Sequence, residues 1–237
     1  MKNFTKVGSK PAPEQQGANG VTRLILVRHG ETEANVAKVW HGSADAPLTP
    51  RGQRQVMATA QRIAALHREH PIQAFYVSPL PRAQSTARAI AQAIGVEPVV
   101  EPDLREFSIG DWEGRSFQEL AQVERLWQRW QSDPTFAPPN GESPIQFSQR
   151  VQRVFQRLTD AHPGQTILVV THGGVISNLL AQWLGEGPGD WARWDPPNCA
   201  ITVLEKQGRG WRPVLVNDVS HLRAAGVSPS PLADDGT

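Results

Sequence analysis

An apolar run, Leu24-Ile25-Leu26-Val27, breaks off into Arg28-His29-Gly30-Glu31-Thr32. A run this short, without polar interruption and bounded by glycine, suits a strand buried on both faces of a parallel sheet better than a helix. The arginine and histidine then stand at the strand's carboxyl end, the edge where open α/β sheets bind ligands. Arginine offers a planar fork that suits phosphate. Histidine offers a nucleophile or a general acid/base near neutral pH. Gly30 lets backbone approach a ligand closely. The plainer alternative is a surface turn with two polar residues.

A second run repeats the arrangement. Thr166-Ile167-Leu168-Val169-Val170 ends in Thr171-His172-Gly173-Gly174, and Val175 to Leu184 reads as a helix. Gly173 and Gly174 fall where that helix begins, and free N–H groups there suit an anion. A core histidine explains either unit alone, but not both with an arginine alongside.

The other elements follow from local signals. Thr49-Pro50 opens a helix running to about His70, with threonine as cap and proline at the first position. Residues 74–77 form a strand, residues 81–93 a helix closed by Gly95, and residues 99–101 a short strand. Residues 117–131 read as one helix. Ser143-Pro144-Ile145-Gln146 has the form of a capping box and opens a helix to about Ala161. Residues 198–205 and 211–218 flank Gly208-Arg209-Gly210 as a late hairpin. Strands alternating with helices imply a three-layer α/β/α sandwich, mostly parallel, with at least one antiparallel strand from the hairpin. One domain is expected over residues 21–222. Residues 1–20 and 223–237, rich in proline and glycine or acidic residues, read as flexible tails.

Composition narrows the function classes. A net charge of +1 gives no bulk field toward nucleic acid or membrane. No apolar run reaches the ~18 residues of a membrane span, and the amino terminus lacks the apolar core of a secretory signal. The single cysteine, Cys199, permits no internal disulfide and reads as core filler. A cytoplasmic setting is expected. No histidine or cysteine cluster has zinc spacing, and there is no P-loop or dinucleotide fingerprint, so neither a metal nor an organic cofactor is expected.

Arg28-His29-Gly30-Glu31-Thr32 with Asn35 resembles the signature of the histidine phosphatase superfamily, the phosphoglycerate mutase-like proteins. Three further stretches resemble that family's motifs in the family's order. They are Ser78-Pro79-Leu80-Pro81-Arg82-Ala83, Leu104-Arg105-Glu106-Phe107 with Gly110-Asp111-Trp112-Glu113-Gly114, and Val170-Thr171-His172-Gly173-Gly174. The likeness covers roughly residues 23 to 220. It implies the phosphoglycerate mutase-like fold, a small phosphorylated metabolite as substrate and, as a possibility, a homodimer.

Phosphoryl transfer needs a nucleophile, positive charge on the equatorial oxygens and a proton for the leaving oxygen. His29 fits the first task, provided a local acceptor holds the proton of its other nitrogen. A phosphohistidine then divides the reaction into two steps. Arg28, Arg82 and His172 can surround the phosphoryl group. Asn35, Thr32, Gly173, His41 and Gly42 complete the candidate phosphate and substrate contacts. Glu106 can protonate the leaving alcohol and later take a proton from water; burial beside Phe107 or Trp112 would raise its pKa for the first task, and the positive charge of the pocket pulls the other way. Simpler roles stay open. Glu106 could pair with Arg105, Arg28 could make a structural ion pair, Asn35 could be a turn residue and His41 a surface histidine.

Residues 113–141 are the expected lid or specificity segment. Trp127 and Trp130 there share a helical face, as pocket wall or as core. In the mutases that the chain resembles, an adjacent arginine pair in this region grips a second anionic group. The matching position here is Gln128-Arg129, which favours a phosphatase over a mutase. Arg115, Arg125 or Arg129 could still bind a substrate carboxylate. A protein that only binds phospho-ligands is disfavoured by the presence of a nucleophile and an acid together.

Overall fold

The computed structural model describes residues 20–42, 44–185 and 187–229. In chain order the elements are β1 (Arg23–Arg28), α1 (Glu33–Val36), α2 (Pro50–Glu69), β2 (Ile72–Val77), α3 (Pro81–Ile94), β3 (Val99–Val100), α4 (Phe117–Gln122), α5 (Leu126–Ser132), α6 (Pro144–Ala161), β4 (Thr166–Thr171), α7 (Gly173–Leu184), β5 (Ile201–Gln207), β6 (Gly210–Asp218) and α8 (Ser220–Ala224). Six strands form one sheet in the order β3-β2-β4-β1-β5-β6. Pairs β2–β3, β2–β4 and β1–β4 are parallel, while β1–β5 and β5–β6 are antiparallel. The late hairpin thus contributes two antiparallel strands.

Both faces of the sheet's centre are covered because β1 and β4 are apolar through residues 24–27 and 167–170 and their side chains alternate. Leu24, Leu26, Ile167 and Val169 point into a core shared with Val151, Phe155 and Leu158 of α6 and Ile176 and Leu179 of α7. Ile25, Val27, Leu168 and Val170 point into the opposite core, against Ile63 of α2 and Ala87 and Ile90 of α3. The two layers follow from a one-residue alternation along each strand.

The helix boundaries carry their expected signals. The Thr49 side chain accepts the N–H of Gly52, Gly95 ends α3 at φ +69°, and Ser143 and Gln146 exchange side-chain bonds at the start of α6. One expected helix does not form. Residues 117–131 divide into α4 and α5, with Arg125 between them at φ +53°. Leu120 and Leu126 explain the break. In one continuous helix, six residues at about 100° each would place them on different faces. With the break, both are fully buried in the same small cluster with Ile109, against Trp40, Trp112, Trp127 and Trp130.

At the carboxyl end, the chain stays packed past residue 223. Val227 is buried against α2, and the Ser228 carbonyl accepts from Gln55 Nε2 at 3.2 Å. The remainder of both expected tails, residues 1–19 and 230–237, lies outside the described residues. No helix among the described residues is long and apolar enough to cross a membrane.

Candidate active site

Three adjacent parallel strands end at one level. Val77 of β2 is in register with Val170 of β4, and Arg28 of β1 with Thr171 of β4. The residues that follow inherit the pairing: Ser78 N–H donates to Val170 O at 3.0 Å, and His29 N–H to Thr171 O at 3.0 Å. Ser78, His172 and His29 therefore stand side by side at the carboxyl edge. The His29 and His172 ring centroids are 5.2 Å apart.

His29 is buried, and its Nδ1 lies 2.8 Å from the carbonyl oxygen of Gly30. A carbonyl only accepts, so the ring proton sits on Nδ1 and Nε2 carries the lone pair. Burial first, then the guanidinium charges of Arg82 and Arg28, holds the His29 pKa well below 6.5. The ring is thus a neutral nucleophile in form. His172 is depressed in the same way, by burial and then by Arg82 and His29.

Arg28 donates from Nη1 to Pro196 O at 2.5 Å and lies 3.7 Å from the exposed carboxylate of Asp195. Arg82, at the second position of α3, is only 2% exposed. Its Nη1 donates to Ala44 O at 2.8 Å, and its Nη2 donates to His41 O at 3.0 Å and Gly42 O at 2.7 Å. These bonds leave part of each fork unused. Among the described residues, six buried side-chain nitrogens or oxygens have no partner, and three of them are Arg28 Nε, Arg82 Nε and His172 Nδ1. Unpaired buried donors are rare in folded proteins and call for an explanation such as a ligand.

Glu106 accepts from Phe107 N–H at 2.8 Å and from Gly174 N–H at 3.0 Å. Burial nevertheless wins over these bonds and over Arg82 and Arg28, and its pKa is raised. Arg105 does not pair with it; that side chain reaches Asp103 and Glu142. A Cβ on Gly174 would overlap Oε1 of Glu106, so glycine there is a condition for the carboxylate's position. The helix start therefore gives one of its N–H groups to Glu106, not to an anion.

Asn35 is a structured group within a capped turn. Its Oδ1 accepts from Thr32 N at 3.1 Å, Thr32 Oγ1 at 3.0 Å and Asn198 Nδ2 at 3.2 Å. Three donors on the oxygen identify the other end of the amide as the nitrogen, a donor. His41 lies at the rim, its ring centroid 6.4 Å from that of His29 and its Nε2 3.2 Å from Thr32 Oγ1. Burial and Arg82 lower its pKa to about 4. Gly42 supports Arg82 through its carbonyl, and a Cβ on Gly173 would come to 3.2 Å from the Arg28 guanidinium carbon. Gly30 meets protein, not an open site: a Cβ there would come to 2.6 Å from the Val56 side chain.

Sequence reasoning missed several supports. Ser78 Oγ lies 2.6 Å from His172 Nε2. Asn198 Nδ2 also donates to His29 O at 3.1 Å. Arg150, from α6, donates to the carbonyls of Asp103 and Arg105 at 2.7 and 2.8 Å and to that of Glu106 at 3.2 Å, so it holds the loop that carries Glu106. Ser78 belongs to the motif of residues 78–83, but Asn198 and Arg150 had no local signal. In the segment 113–141, Trp127 and Trp130 join an aromatic cluster with Trp40. Arg115 is paired with Glu119 and Glu124, and Arg129 stacks on Trp112 and Phe136.

Known proteins resemble this chain in sequence and fold. A "probable phosphoglycerate mutase GpmB" from Cronobacter sakazakii is 36% identical over 209 residues, covering 85% of this chain and 95% of its own. An adenosylcobalamin/alpha-ribazole phosphatase from Escherichia coli K12 is 40% identical over 165 residues, 69% of this chain and 79% of its own. The solved phosphoserine phosphatase of Entamoeba histolytica, in complex with 3-phosphoglyceric acid, superposes with a TM-score of 0.75 at 30% identity, over 85% of this chain and 99% of that one. The histidine phosphatase superfamily, branch 1, matches residues 24–219, and the chain belongs to that family.

Proposed function

We propose that the protein hydrolyses small phosphomonoesters through a phosphohistidine on His29, without a metal ion. The reading rests on one observation above others: among the described residues, Arg28, Arg82 and His172 carry buried polar atoms without partners, beside a histidine whose Nδ1 is tied to the Gly30 carbonyl. Nε2 of His29 attacks phosphorus, and the bond from phosphorus to the leaving oxygen breaks. Glu106, kept toward its protonated form by burial, gives its proton to that oxygen. A water then attacks the phosphohistidine, its proton passes to the Glu106 carboxylate, and phosphate leaves with His29 restored. Two guanidinium groups, with the Asn35 amide and His172, supply the charge and donors that a metal supplies elsewhere.

Mutase-type transfer is the second reading, because a relative carries that description. It would need a second anion grip near the first. Two of the three candidate arginines of residues 113–141 support hydrolysis instead, since Arg115 is paired with two glutamates and Arg129 lies over the rings of Trp112 and Phe136.

The test is a panel of phosphorylated metabolites assayed with excess chelator for released phosphate, with 3- to 2-phosphoglycerate conversion measured in parallel. Phosphate release that persists with chelator, exceeding isomerisation, is expected. Activity that vanishes and returns with Mg²⁺ or Zn²⁺, or isomerisation that dominates, would contradict the reading.

A further inference from the structure

Ser78 Oγ lies 2.6 Å from Nε2 of His172, and both residues are 0% exposed. The contact is built into the sheet. Ser78 follows β2 and His172 follows β4, the two strands are paired, and the Ser78 N–H is tied to Val170 O. The question this contact raises is which atom carries the shared proton.

His172 is held neutral, by burial first and then by the nearby positive charge. A neutral imidazole has one ring proton and two tautomers. Ser78 Oγ has two neighbours. One is the N–H of Leu80, which donates to it at 3.3 Å and can do nothing else. Among the described residues the hydroxyl's own proton then has a single acceptor within reach, Nε2 of His172. If instead the ring proton sat on Nε2, the hydroxyl proton would be buried without an acceptor, and Nδ1 would present a bare lone pair to a phosphoryl oxygen. Only the Nδ1–H tautomer uses the hydroxyl proton.

We propose that Ser78 is a positioning residue that holds His172 as its Nδ1–H tautomer, so that Nδ1 donates a hydrogen bond to the phosphoryl group at His29. The inference rests on the phosphoryl-transfer reading of this pocket. The two imidazoles then share a tautomer and present opposite faces of it. His29 has its Nδ1–H tied to a backbone carbonyl and offers a lone pair from Nε2. His172 has its Nε2 tied to a hydroxyl proton and offers a donor from Nδ1. The difference follows from the partner: a carbonyl only accepts, while a hydroxyl already accepting from Leu80 has a proton to give.

Long-range ¹H–¹⁵N spectra of the ¹⁵N-labelled protein near neutral pH test this directly, with the His172 signals assigned by their loss in His172→Asn. The expected result is a pyridine-type Nε2 and a pyrrole-type Nδ1. A pyrrole-type Nε2 would overturn the proposal. Ser78→Ala should shift His172 toward a mixture of tautomers and weaken binding of inorganic phosphate roughly tenfold to hundredfold, the span of one hydrogen bond to a charged group. Unchanged tautomer and unchanged phosphate affinity in that variant would also overturn it. If Ser78→Ala does not fold, the wild-type spectrum decides alone. Neither readout requires turnover. A protein that binds phosphate in this way and hydrolyses nothing would refute the proposed function and leave this inference standing.

Discussion

The Nδ1–H of His29 donates to the carbonyl oxygen of Gly30, its own neighbour in sequence, across 2.8 Å. The turn that ends β1 therefore sets which ring nitrogen is free, and Nε2 is the one left for chemistry. With the pKa held low by burial and two guanidinium groups, the ring stays neutral where an ordinary histidine would begin to protonate.

Glu106→Gln should slow hydrolysis of alkyl phosphates by about two to four orders of magnitude, the usual span of general acid catalysis. Aryl phosphates should lose much less, because a nitrophenolate leaves without a proton. The comparison belongs on the first turnover, since breakdown of the phosphohistidine would otherwise mask the difference. Equal losses on both substrates would remove Glu106 from the role of leaving-group acid.

Gly174→Ala should mimic that variant. The added methyl overlaps Oε1 of Glu106, whose other oxygen is held by the Gly174 N–H. A displacement on the order of 1 Å costs about a hundredfold in rate, and the loss should again be larger for alkyl than for aryl esters. Full alkyl phosphatase activity in a folded Gly174→Ala protein would mean the carboxylate's position is unimportant.

Stability should fall in mild acid. His29, His41 and His172 all have depressed pKa values in the folded protein. Below pH 6.5 their unfolded counterparts take up protons that the folded rings refuse, so stability is lost as pH falls from that value toward the folded pKa. Glu106 acts in the opposite sense: its raised pKa contributes stability that is lost as pH climbs from 4.5 through the raised value. His41 shifts from 6.5 to about 4. Near pH 5 it accounts for close to one proton, or about 1.4 kcal/mol of stability per pH unit. Denaturant unfolding across mildly acid pH should show a slope shallower by about that amount in His41→Gln. Identical slopes would contradict the burial of a neutral His41.

The fold was legible where one physical cause acted over a few neighbouring residues. The apolar runs of β1 and β4 declare burial on both faces, and Thr49 and Ser143 declare helix starts because their side chains bond within the next turn. His29 and His172 were legible for the same reason, since each follows directly on a buried strand. What escaped were bonds between residues distant in sequence. Arg150 sits on α6 and holds the Glu106 loop, Asn198 sits before β5 and reaches both His29 and Asn35, and the Gly174 N–H is taken by a carboxylate 68 residues away. The break at Arg125 escaped because its cause is the shared burial of Leu120 and Leu126, which no local pattern expresses.

The most direct test of covalent catalysis on His29 is a rapid alkaline quench during turnover of a ³²P-labelled phosphomonoester, followed by peptide mapping of the labelled protein. Alkali preserves phosphohistidine and acid destroys it. The account predicts acid-labile label on His29 in the wild type, none in His29→Ala, and a rate in that variant below about a thousandth of the wild-type value. Turnover without a phosphoenzyme, label on another residue, or a substantially active His29→Ala protein would contradict it.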